Sequence, residues 1–241
     1  MSAELFGINI DTLKLDDALN NAAFLIKQEK PSQVITINPE MFAEAEKNKS
    51  FKELLENAEM IFPDGVGVKI ALKINGVDSD RIPGIDFAWK LLEKAEKENL
   101  SVAIIGAKEE IIVKAIEKIK NNFSKINIVY ARNGYFNNDV EVYNELKEKN
   151  PQIILVAMGS PRQEFFIRNA KNVLSRGLMV GIGGSLDVWS GNVKRAPKIF
   201  QMTGTEWLYR TLLQPERFKR IFPALPLFLI KALSYKFKRS K

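Results

Sequence analysis

The stretch SVAIIGAKEEIIVKAIEKIKNNFSKINIVYA, residues 101–131, decides the fold, because two apolar runs in it flank one amphipathic segment. The runs "SVAIIGA" and "INIVYA" are rich in β-branched residues, which favours strands that are buried on both faces. The intervening "KEEIIVKAIEKIKNNF" repeats apolar residues at helical spacing. This order predicts two parallel strands joined by a crossover helix.

The same alternation continues over most of the chain. Apolar runs such as "LFGINI", "QVITI", "QIILVAMG" and "LMVGIGG" alternate with helical segments such as "LDDALNNAAFLIKQE" and "PRQEFFIRNAKNVL". Each apolar run, "LFGINI" included, is expected to form a strand. The sequence therefore predicts an α/β fold: a Rossmann-like, doubly wound domain with a mostly parallel sheet.

Positive charge is concentrated near the C-terminal end of the chain. Residues 194–241 hold 12 Lys and Arg against 2 Asp and Glu, whereas residues 1–193 hold 24 against 27. A local basic segment favours an anionic partner, such as a lipid headgroup or a diphosphate, over a nucleic-acid-binding surface on the main body. The composition changes near Arg195, so we expect a core over residues 1–194 and a basic, aromatic appendage over residues 195–241.

The chain contains neither Cys nor His. This excludes Cys and His nucleophiles, His bases and the usual zinc sites, so acid–base chemistry falls to Asp, Glu, Lys or Tyr. The absence of Cys fits the cytosol, and the opening "MSAELFGINI" lacks the features of a signal peptide. We therefore expect cytoplasmic localisation.

Ligands of doubly wound sheets bind beyond the carboxyl ends of the strands, so polar residues directly after predicted strands are the candidate site residues. Asp64 is one of them, in "EMIFPDGVGV", residues 59–68. Pro-Asp-Gly is a strong turn signal. Asp64 is thus either an ordinary turn or helix-cap residue, or a carboxylate that the turn presents to a substrate.

Two further segments combine helix-start signals with polar side chains. In "TINPEMF", Asn38 is expected to cap a helix that begins at Pro39, and the hydroxyl of Thr36 at the strand end is suited to a sugar. In "VAMGSPRQEFF", Ser160 and Gln163 have the spacing of a capping box. Helix initiation explains both segments; the functional alternative is that Gln163 hydrogen-bonds an anionic or sugar ligand.

The glycine-rich segment "GIGGSLD", residues 181–187, offers a place where backbone amides at Gly183 and Gly184 can approach a phosphate or nucleoside closely. A plain tight turn is the alternative. The segment matches neither the dinucleotide fingerprint nor the P-loop, so NAD and ATP are poorly supported and no cofactor is expected.

The acidic pair in "VDSDR", Asp78 and Asp80, has the D-x-D spacing of a metal motif. It lies in a polar segment with no apolar strand to aim it at a diphosphate, so a solvated loop is the better interpretation and no metal is expected. Arg81, next to it in "RIPGIDF", is better placed for function, because Pro83 and Gly84 constrain the backbone before the next helix.

Arginines and aromatic residues alternate in "GTEWLYRTLLQPERFKRIF", residues 204–222. Arg210, Arg217 and Arg220 have spacings of seven and three, which would put them on one face of a continuous helix, although Pro215 is expected to break it. A solvated basic face is one interpretation. The interleaved aromatic residues favour a membrane interface or a phosphate clamp.

The C-terminal segment "IFPALPLFLIKALSYKFKRSK", residues 221–241, is apolar and then basic. Pro223, Pro226 and Lys231 interrupt its apolar part, which is too short to span ~30 Å of hydrocarbon. We expect it to lie on the bilayer, with a helix packed on the domain as the alternative.

Taken in order, the motifs resemble one family. "TINPE", "PDGVGV", "RIPGID", "GYF", "MGSPRQE", "GIGGSLDVWSG", "KRAP" and "GTEWLYR…QPERFKR" follow the pattern of the WecG/TagA/CpsF glycosyltransferases over nearly the whole chain. The resemblance implies inverting, metal-independent transfer of an N-acetylmannosamine-type sugar from a UDP donor to polyprenyl-diphosphate-linked N-acetylglucosamine. TagA-like members catalyse an early step of wall teichoic acid assembly.

The resemblance also implies roles for individual residues. Asp64 corresponds to the proposed general base. The pocket residues correspond to Thr36, Asn38, Arg81 and Gln163. The appendage arginines that complete the site at the membrane correspond to Arg210, Arg217 and Arg220. The implied location is peripheral, on the inner face of the cell membrane.

Two positions depart from the family pattern. Thr205 and Thr211 stand where the family usually has aliphatic residues, and a hydroxyl on an apolar stripe weakens packing or self-association. The oligomeric state, including a homo-oligomer, and the docking of the appendage therefore stay open. Two other function classes also stay open: a nucleotide-binding oxidoreductase, and a non-catalytic membrane-surface binding protein.

Overall fold

A computed structural model describes residues 2–213 and 218–239 of the chain. The strands are β1 (Ser2–Leu5), β2 (Ile8–Asp11), β3 (Pro31–Ile37), β4 (Met60–Pro63), β5 (Ser101–Gly106), β6 (Asn127–Arg132), β7 (Ile153–Ala157) and β8 (Gly177–Gly181). The helices are α1 (Leu15–Lys27), α2 (Pro39–Lys47), α3 (Lys49–Glu56), α4 (Val66–Ile74), α5 (Gly84–Lys97), α6 (Glu109–Asn122), α7 (Asp139–Lys149), α8 (Arg162–Lys171), α9 (Ser185–Trp189), α10 (Lys198–Met202), α11 (Glu206–Leu213) and α12 (Phe218–Arg239).

The central sheet confirms the predicted fold class. Its six strands are all parallel, in the order β4-β3-β8-β7-β5-β6. The opening stretch forms β5, α6 and β6, and β5 pairs in parallel with β6 on one side and with β7 on the other. Every residue of β7 and β8 is buried, as expected for strands covered on both faces.

The N-terminal segment departs from the prediction. "LFGINI" is not one strand of the parallel sheet, because β1 and β2 form a separate antiparallel hairpin in which Leu5 lies opposite Ile8. Phe6 and Gly7 turn the chain with φ angles of 55° and 84°. This left-handed backbone is what a two-residue hairpin turn requires. The apolar run is therefore interrupted by a turn.

The chain divides into two compact units. The first contains the described parts of residues 1–14, 36–83 and 195–241, and the second contains residues 15–35 and 84–194. Strand β3 passes from the second unit into the first at Thr36. Arg195 and the described residues after it thus belong to the same unit as Thr36, Asn38, Asp64 and Arg81.

In the first unit, α12 packs on α2 and α4. Phe228 and Ala232 are buried, and the Phe228 ring contacts Phe6 and Phe42 with centroid distances of 5.5 and 5.0 Å. The Tyr235 hydroxyl donates to a Glu4 carboxylate oxygen at 2.6 Å. The C-terminal segment therefore forms a helix packed on the domain, which is one of the two predicted alternatives.

The same helix also presents apolar side chains to solvent. Leu227, Ile230, Leu233 and Phe237 are exposed along α12, which continues through positions 223 and 226 although both are proline. In the part of the chain that the structure describes, no helix combines the length and the apolar character that crossing a bilayer requires.

The two threonines that depart from the family pattern both have hydrogen-bonded hydroxyls. Thr211 is buried in α11, and its hydroxyl donates to the Trp207 carbonyl oxygen at 2.7 Å. The hydroxyls of Thr203 and Thr205 lie 2.7 Å apart. A hydrogen-bonded hydroxyl avoids most of the cost of burying a polar group, so α11 accommodates Thr211 in its packed position.

In the second unit, β5 and β7 lie side by side, but their chain connections leave in opposite directions, toward β6 and toward β8. Ligands of doubly wound sheets bind at such a switch point, beyond the carboxyl ends of the strands. The two ends approach closely here: a Cβ on Gly106 would lie 2.2 Å from the Ala157 carbonyl oxygen. Only glycine fits this contact, which also has a φ of 130°.

Candidate active site

Backbone pairing brings Asp64 next to the end of β3 in the first unit. The Asp64 N–H donates to the Ile37 carbonyl oxygen at 3.0 Å, so Asp64 follows β4 beside the residue that precedes Asn38. Thr36, Asn38 and Asp64 are all half-buried. Three polar residues thus lie at the carboxyl ends of β3 and β4, where the sequence predicted candidate site residues.

Asn38 is the cap of α2, as predicted. Its side-chain oxygen accepts a hydrogen bond from the Met41 N–H at 3.1 Å, and Pro39 is the first helical residue. The cap holds the Asn38 amide oxygen toward the helix and leaves the amide N–H donors on the other side of the same group.

The turn after β4 is built from glycine. Helix α4 begins at Val66 with Gly65 as its N-cap, so the helix-cap interpretation of Asp64 is wrong. A Cβ on Gly65 would lie 2.9 Å from the Pro39 side chain, and one on Gly67 would lie 2.8 Å from it. The two glycines therefore let the segment that carries Asp64 lie directly on the start of α2.

Arg81 joins the same cluster through the backbone. The Ile82 N–H donates to the Pro63 carbonyl oxygen at 2.8 Å, which places Arg81 beside the residue that precedes Asp64. The Arg81 guanidinium Nη2 donates to a Glu206 carboxylate oxygen at 3.0 Å and to the Gln201 carbonyl oxygen at 3.2 Å. Arg81 is thus fixed at one end by the β4 turn and at the other by residues of the appendage.

In the second unit, Gln163 is buried and fully oriented, but not by the predicted capping box. Helix α8 begins at Arg162, and Pro161, which follows a cis Ser160–Pro161 peptide bond, is an N-cap without a side-chain hydrogen bond. The Gln163 side chain does not turn back to Ser160, because its Oε1 accepts from the Gly183 N–H at 3.0 Å and its Nε2 donates to Glu164 at 2.7 Å.

The Gly181–Gly184 segment holds this amide in place. A Cβ on Gly181 would lie 2.5 Å from the Gln163 Nε2, so glycine leaves the space that the amide occupies. Gly183 has a φ of 49°, and its N–H is already used by Gln163. Gly184 is exposed at the start of α9. Of the two predicted contacts, the Gly183 amide has an internal partner.

Glu164 is a buried carboxyl beside Gln163. One oxygen accepts from Gln163, and the other, Oε2, is buried without a hydrogen-bond partner among the described residues. Burial raises the pKa of Glu164, and side-chain hydrogen bonds from Gln163 and Ser160 act in the opposite direction. Glu164 therefore favours its uncharged form more than an ordinary exposed glutamate does.

Asp80 of the acidic loop has a basic neighbour. Asp80 lies 3.8 Å from the Lys69 ammonium, and the side chains of Lys69 and Asp80 are 38% and 56% exposed. Within residues 2–213 and 218–239, no three Asp or Glu side chains are grouped so as to hold a metal ion.

Three predicted site residues fall where the side chains are not described. Arg217 lies outside the described residues, and the side chains of Arg210 in α11 and Arg220 in α12 lie outside them as well. The predicted break at Pro215 also lies there, between the end of α11 at Leu213 and the start of α12 at Phe218.

Residues 3–241 match the model of the "Glycosyl transferase WecG/TagA/CpsF family". Over 211 residues the chain is 36% identical to the N-acetylglucosaminyldiphosphoundecaprenol N-acetyl-beta-D-mannosaminyltransferase of Bacillus spizizenii, covering 87% of this chain and 82% of that protein. The chain belongs to the WecG/TagA/CpsF family. It is a glycosyltransferase, as the motif order predicted.

Two acids of this WecG/TagA/CpsF chain were not among the predicted site residues. Glu206 pairs with Arg81, and Glu164 pairs with Gln163. Both lie inside motifs that carried the family resemblance, "GTEWLYR" and "MGSPRQE". The partner of Glu206 is 125 residues away along the chain, so only its place in a motif could have pointed to Glu206.

The raised pKa of Glu164 predicts a pH dependence of stability. The folded protein holds this proton more tightly than the unfolded chain, so the associated stabilisation is present below the ordinary glutamate pKa and is lost as pH rises through the folded-state pKa. Glu164→Gln removes this loss. In urea unfolding at a series of pH values, the stability of the variant relative to wild type should increase from acid to neutral pH.

Glu148→Gln, at an exposed position of α7, is the matched control and should show no such trend. A Glu164→Gln difference that stays constant across the series would contradict the prediction.

Proposed function

We propose that this chain transfers N-acetylmannosamine, or a related hexose, from a UDP-sugar to polyprenyl-diphosphate-linked N-acetylglucosamine in cell-surface polymer synthesis. The relative from Bacillus spizizenii is named as an N-acetylmannosaminyltransferase that acts on N-acetylglucosaminyldiphosphoundecaprenol. The observation that carries the proposal is the convergence of Thr36, Asn38, Asp64 and Arg81 at the ends of β3 and β4. Membership of a glycosyltransferase family does not favour an oxidoreductase or a non-catalytic binding protein.

Asp64 is the general base in this proposal. The acceptor hydroxyl loses its proton to the Asp64 carboxylate as its oxygen bonds to the anomeric carbon of the donor. The bond from that carbon to the UDP oxygen breaks at the same time, so the configuration inverts and UDP leaves with the electron pair. In a chain without His, acid–base chemistry falls to Asp, Glu, Lys or Tyr, and the glycine-built turn presents Asp64 beside the start of α2.

The departing diphosphate gathers negative charge, which arginines and backbone amides stabilise in the absence of a metal. We assign this role to Arg210, Arg217 and Arg220 of the appendage. Thr36, Asn38, Arg81 and Gln163 bind substrate. Gly183 and Gly184 shape the turn beside Gln163. The Gly183 N–H already donates to the Gln163 side chain, so it contributes to binding by orienting that side chain.

The nucleotide is proposed to bind in the second unit. Support comes from the switch point between β5 and β7, where Gly106 lets the strand ends approach closely. Gln163 follows β7 and Gly183 follows β8, so both lie at the carboxyl ends of neighbouring strands.

Association with the inner face of the membrane is also proposed, because the acceptor is attached to a lipid. The exposed apolar side chains of α12 are accompanied by a C-terminal segment rich in Lys and Arg. Such a helix binds a bilayer surface by apolar burial and by attraction to anionic lipids.

The direct test of the function is product analysis. Full-length protein is incubated with a short-chain lipid-diphosphate N-acetylglucosamine and a panel of UDP-sugars, and the product mass is measured. We expect the acceptor mass to increase by one N-acetylhexosamine with UDP-N-acetylmannosamine. Failure of every UDP-sugar to give a product would overturn the proposal.

The base assignment has its own test. Asp64→Asn should lower turnover by roughly 100- to 10,000-fold, because the proton acceptor is lost, while calorimetric binding of UDP is retained. Asp80→Asn makes the same chemical change at an exposed loop position and should stay near wild type. Near-normal turnover of Asp64→Asn would remove Asp64 as the base, and loss of activity in EDTA would contradict metal independence.

The membrane proposal predicts that charge on the exposed side of α12 weakens binding. The double variant Ile230→Glu, Leu233→Glu should co-sediment less with phosphatidylglycerol vesicles, because it removes apolar contacts and repels anionic headgroups. Phe24→Glu, at an exposed apolar position of α1, is the control. Equal sedimentation of the double variant and the control would exclude this surface of α12 as the membrane contact.

A further inference from the structure

Glu206 is an acid placed between two arginines. One carboxylate oxygen accepts from Arg81 Nη2 at 3.0 Å, and the other lies 3.9 Å from Arg195 Nε. The side chains of Glu206 and Arg81 are only 11% and 15% exposed. Ion pairs on the surface contribute little to stability. Removing one partner of a well-covered pair leaves the other charge uncompensated, which strongly destabilises the protein.

The turn before Glu206 touches the segment that carries Asp64. Gly204 has a φ of 71°, and a Cβ there would lie 2.8 Å from the Val66 Cβ and 3.7 Å from Arg81 Nη1. Val66 is the first residue of α4, two residues after Asp64. The α10–α11 turn is therefore in contact with both the Asp64 segment and the Arg81 side chain.

We propose that Glu206 is a positioning residue that holds the Arg81 guanidinium in the orientation needed to bind substrate. The inference rests on the proposed function, in which Arg81 is a pocket residue. Both N–H groups of Nη2 have partners in the appendage, Glu206 and the Gln201 carbonyl oxygen. The N–H groups at Nη1 and Nε are the ones that the side chain can offer to a sugar or phosphate oxygen.

An arginine without such a partner samples many rotamers, and ordering it on substrate binding costs side-chain entropy. Glu206 removes that cost before the substrate arrives. The appendage thus contributes to the site through Arg81 as well as through its own arginines. The competing explanation is a purely structural pair that stabilises the α11 packing without affecting the chemistry.

A double-mutant cycle separates the two explanations. The variants are Glu206→Gln, Arg81→Lys and the pair together; glutamine keeps an acceptor oxygen, and lysine keeps the charge that faces Glu206, so the fold has the best chance of surviving. Glu93→Gln on α5, a partly exposed acid that bridges Lys90 and Lys97, is the matched control. UDP release with the lipid-linked acceptor gives kcat and KM, and thermal unfolding monitors stability.

We expect Glu206→Gln to lower kcat/KM by roughly 10- to 100-fold, since small displacements of a positioning group have effects of this size. The loss should divide between kcat and KM as it does in Arg81→Lys. The double variant should be no worse than Arg81→Lys alone, and Glu206→Asp should recover part of the activity. Glu93→Gln should remain at wild-type activity.

Additive losses in the double variant, or a Glu206→Gln protein that loses stability but keeps the wild-type kcat and KM, would overturn the proposal. UDP release by the wild-type protein distinguishes this outcome from failure of the proposed function. If wild type releases no UDP, the transferase assignment fails; if wild type is active and Arg81→Lys is impaired while Glu206→Gln is not, only the positioning role fails.

Discussion

Two backbone hydrogen bonds align the first-unit site, and the other contacts there depend on them. The Asp64 N–H to the Ile37 carbonyl and the Ile82 N–H to the Pro63 carbonyl set Asp64 between the end of β3 and Arg81. The close contacts of Gly65 and Gly67 with Pro39 follow from this arrangement, since a side chain at either position would push the turn away from α2. The turn that carries the Asp64 carboxylate is therefore positioned by main-chain hydrogen bonds and by the close packing that glycine allows.

In each unit, internal hydrogen bonds and a nearby glycine orient a polar side chain. In the second unit, Gly183 and Glu164 occupy the two ends of the Gln163 amide, and Gly181 leaves room for it. In the first, Glu206 and the Gln201 carbonyl hold one end of Arg81, and Gly204 lets the appendage turn approach it. An internal hydrogen bond supplies the orientation, and a nearby glycine supplies the space.

The parts of this arrangement that could be predicted are those encoded locally. The parallel strands of the central sheet and the Asn38 cap follow from short patterns, and the structure confirms both. The predicted burial fails only at β6, which lies at the edge of the sheet and has no buried residue. The prediction of one strand over "LFGINI" was wrong because Phe6 and Gly7 turn the chain inside the apolar run. The capping box at Ser160 was wrong because the Gln163 amide meets Gly183, 20 residues away, instead of the nearby backbone. Glu206 was missed for the same reason, since nothing local reveals a partner at Arg81.

The environments of Glu164 and Glu206 differ from that of Asp64, the proposed base. Burial raises the pKa of Glu164 and favours its uncharged form, and its one bonded oxygen is occupied by Gln163. Glu206 has one oxygen on Arg81 and the other near Arg195, so both of its carboxylate oxygens face arginines. Asp64 is only half-buried and directly follows β4. Its turn contains Gly65 and Gly67, which pack closely against the start of α2. Of the three acids, Asp64 is therefore the one at the carboxyl ends of β3 and β4, where ligands of such a sheet bind.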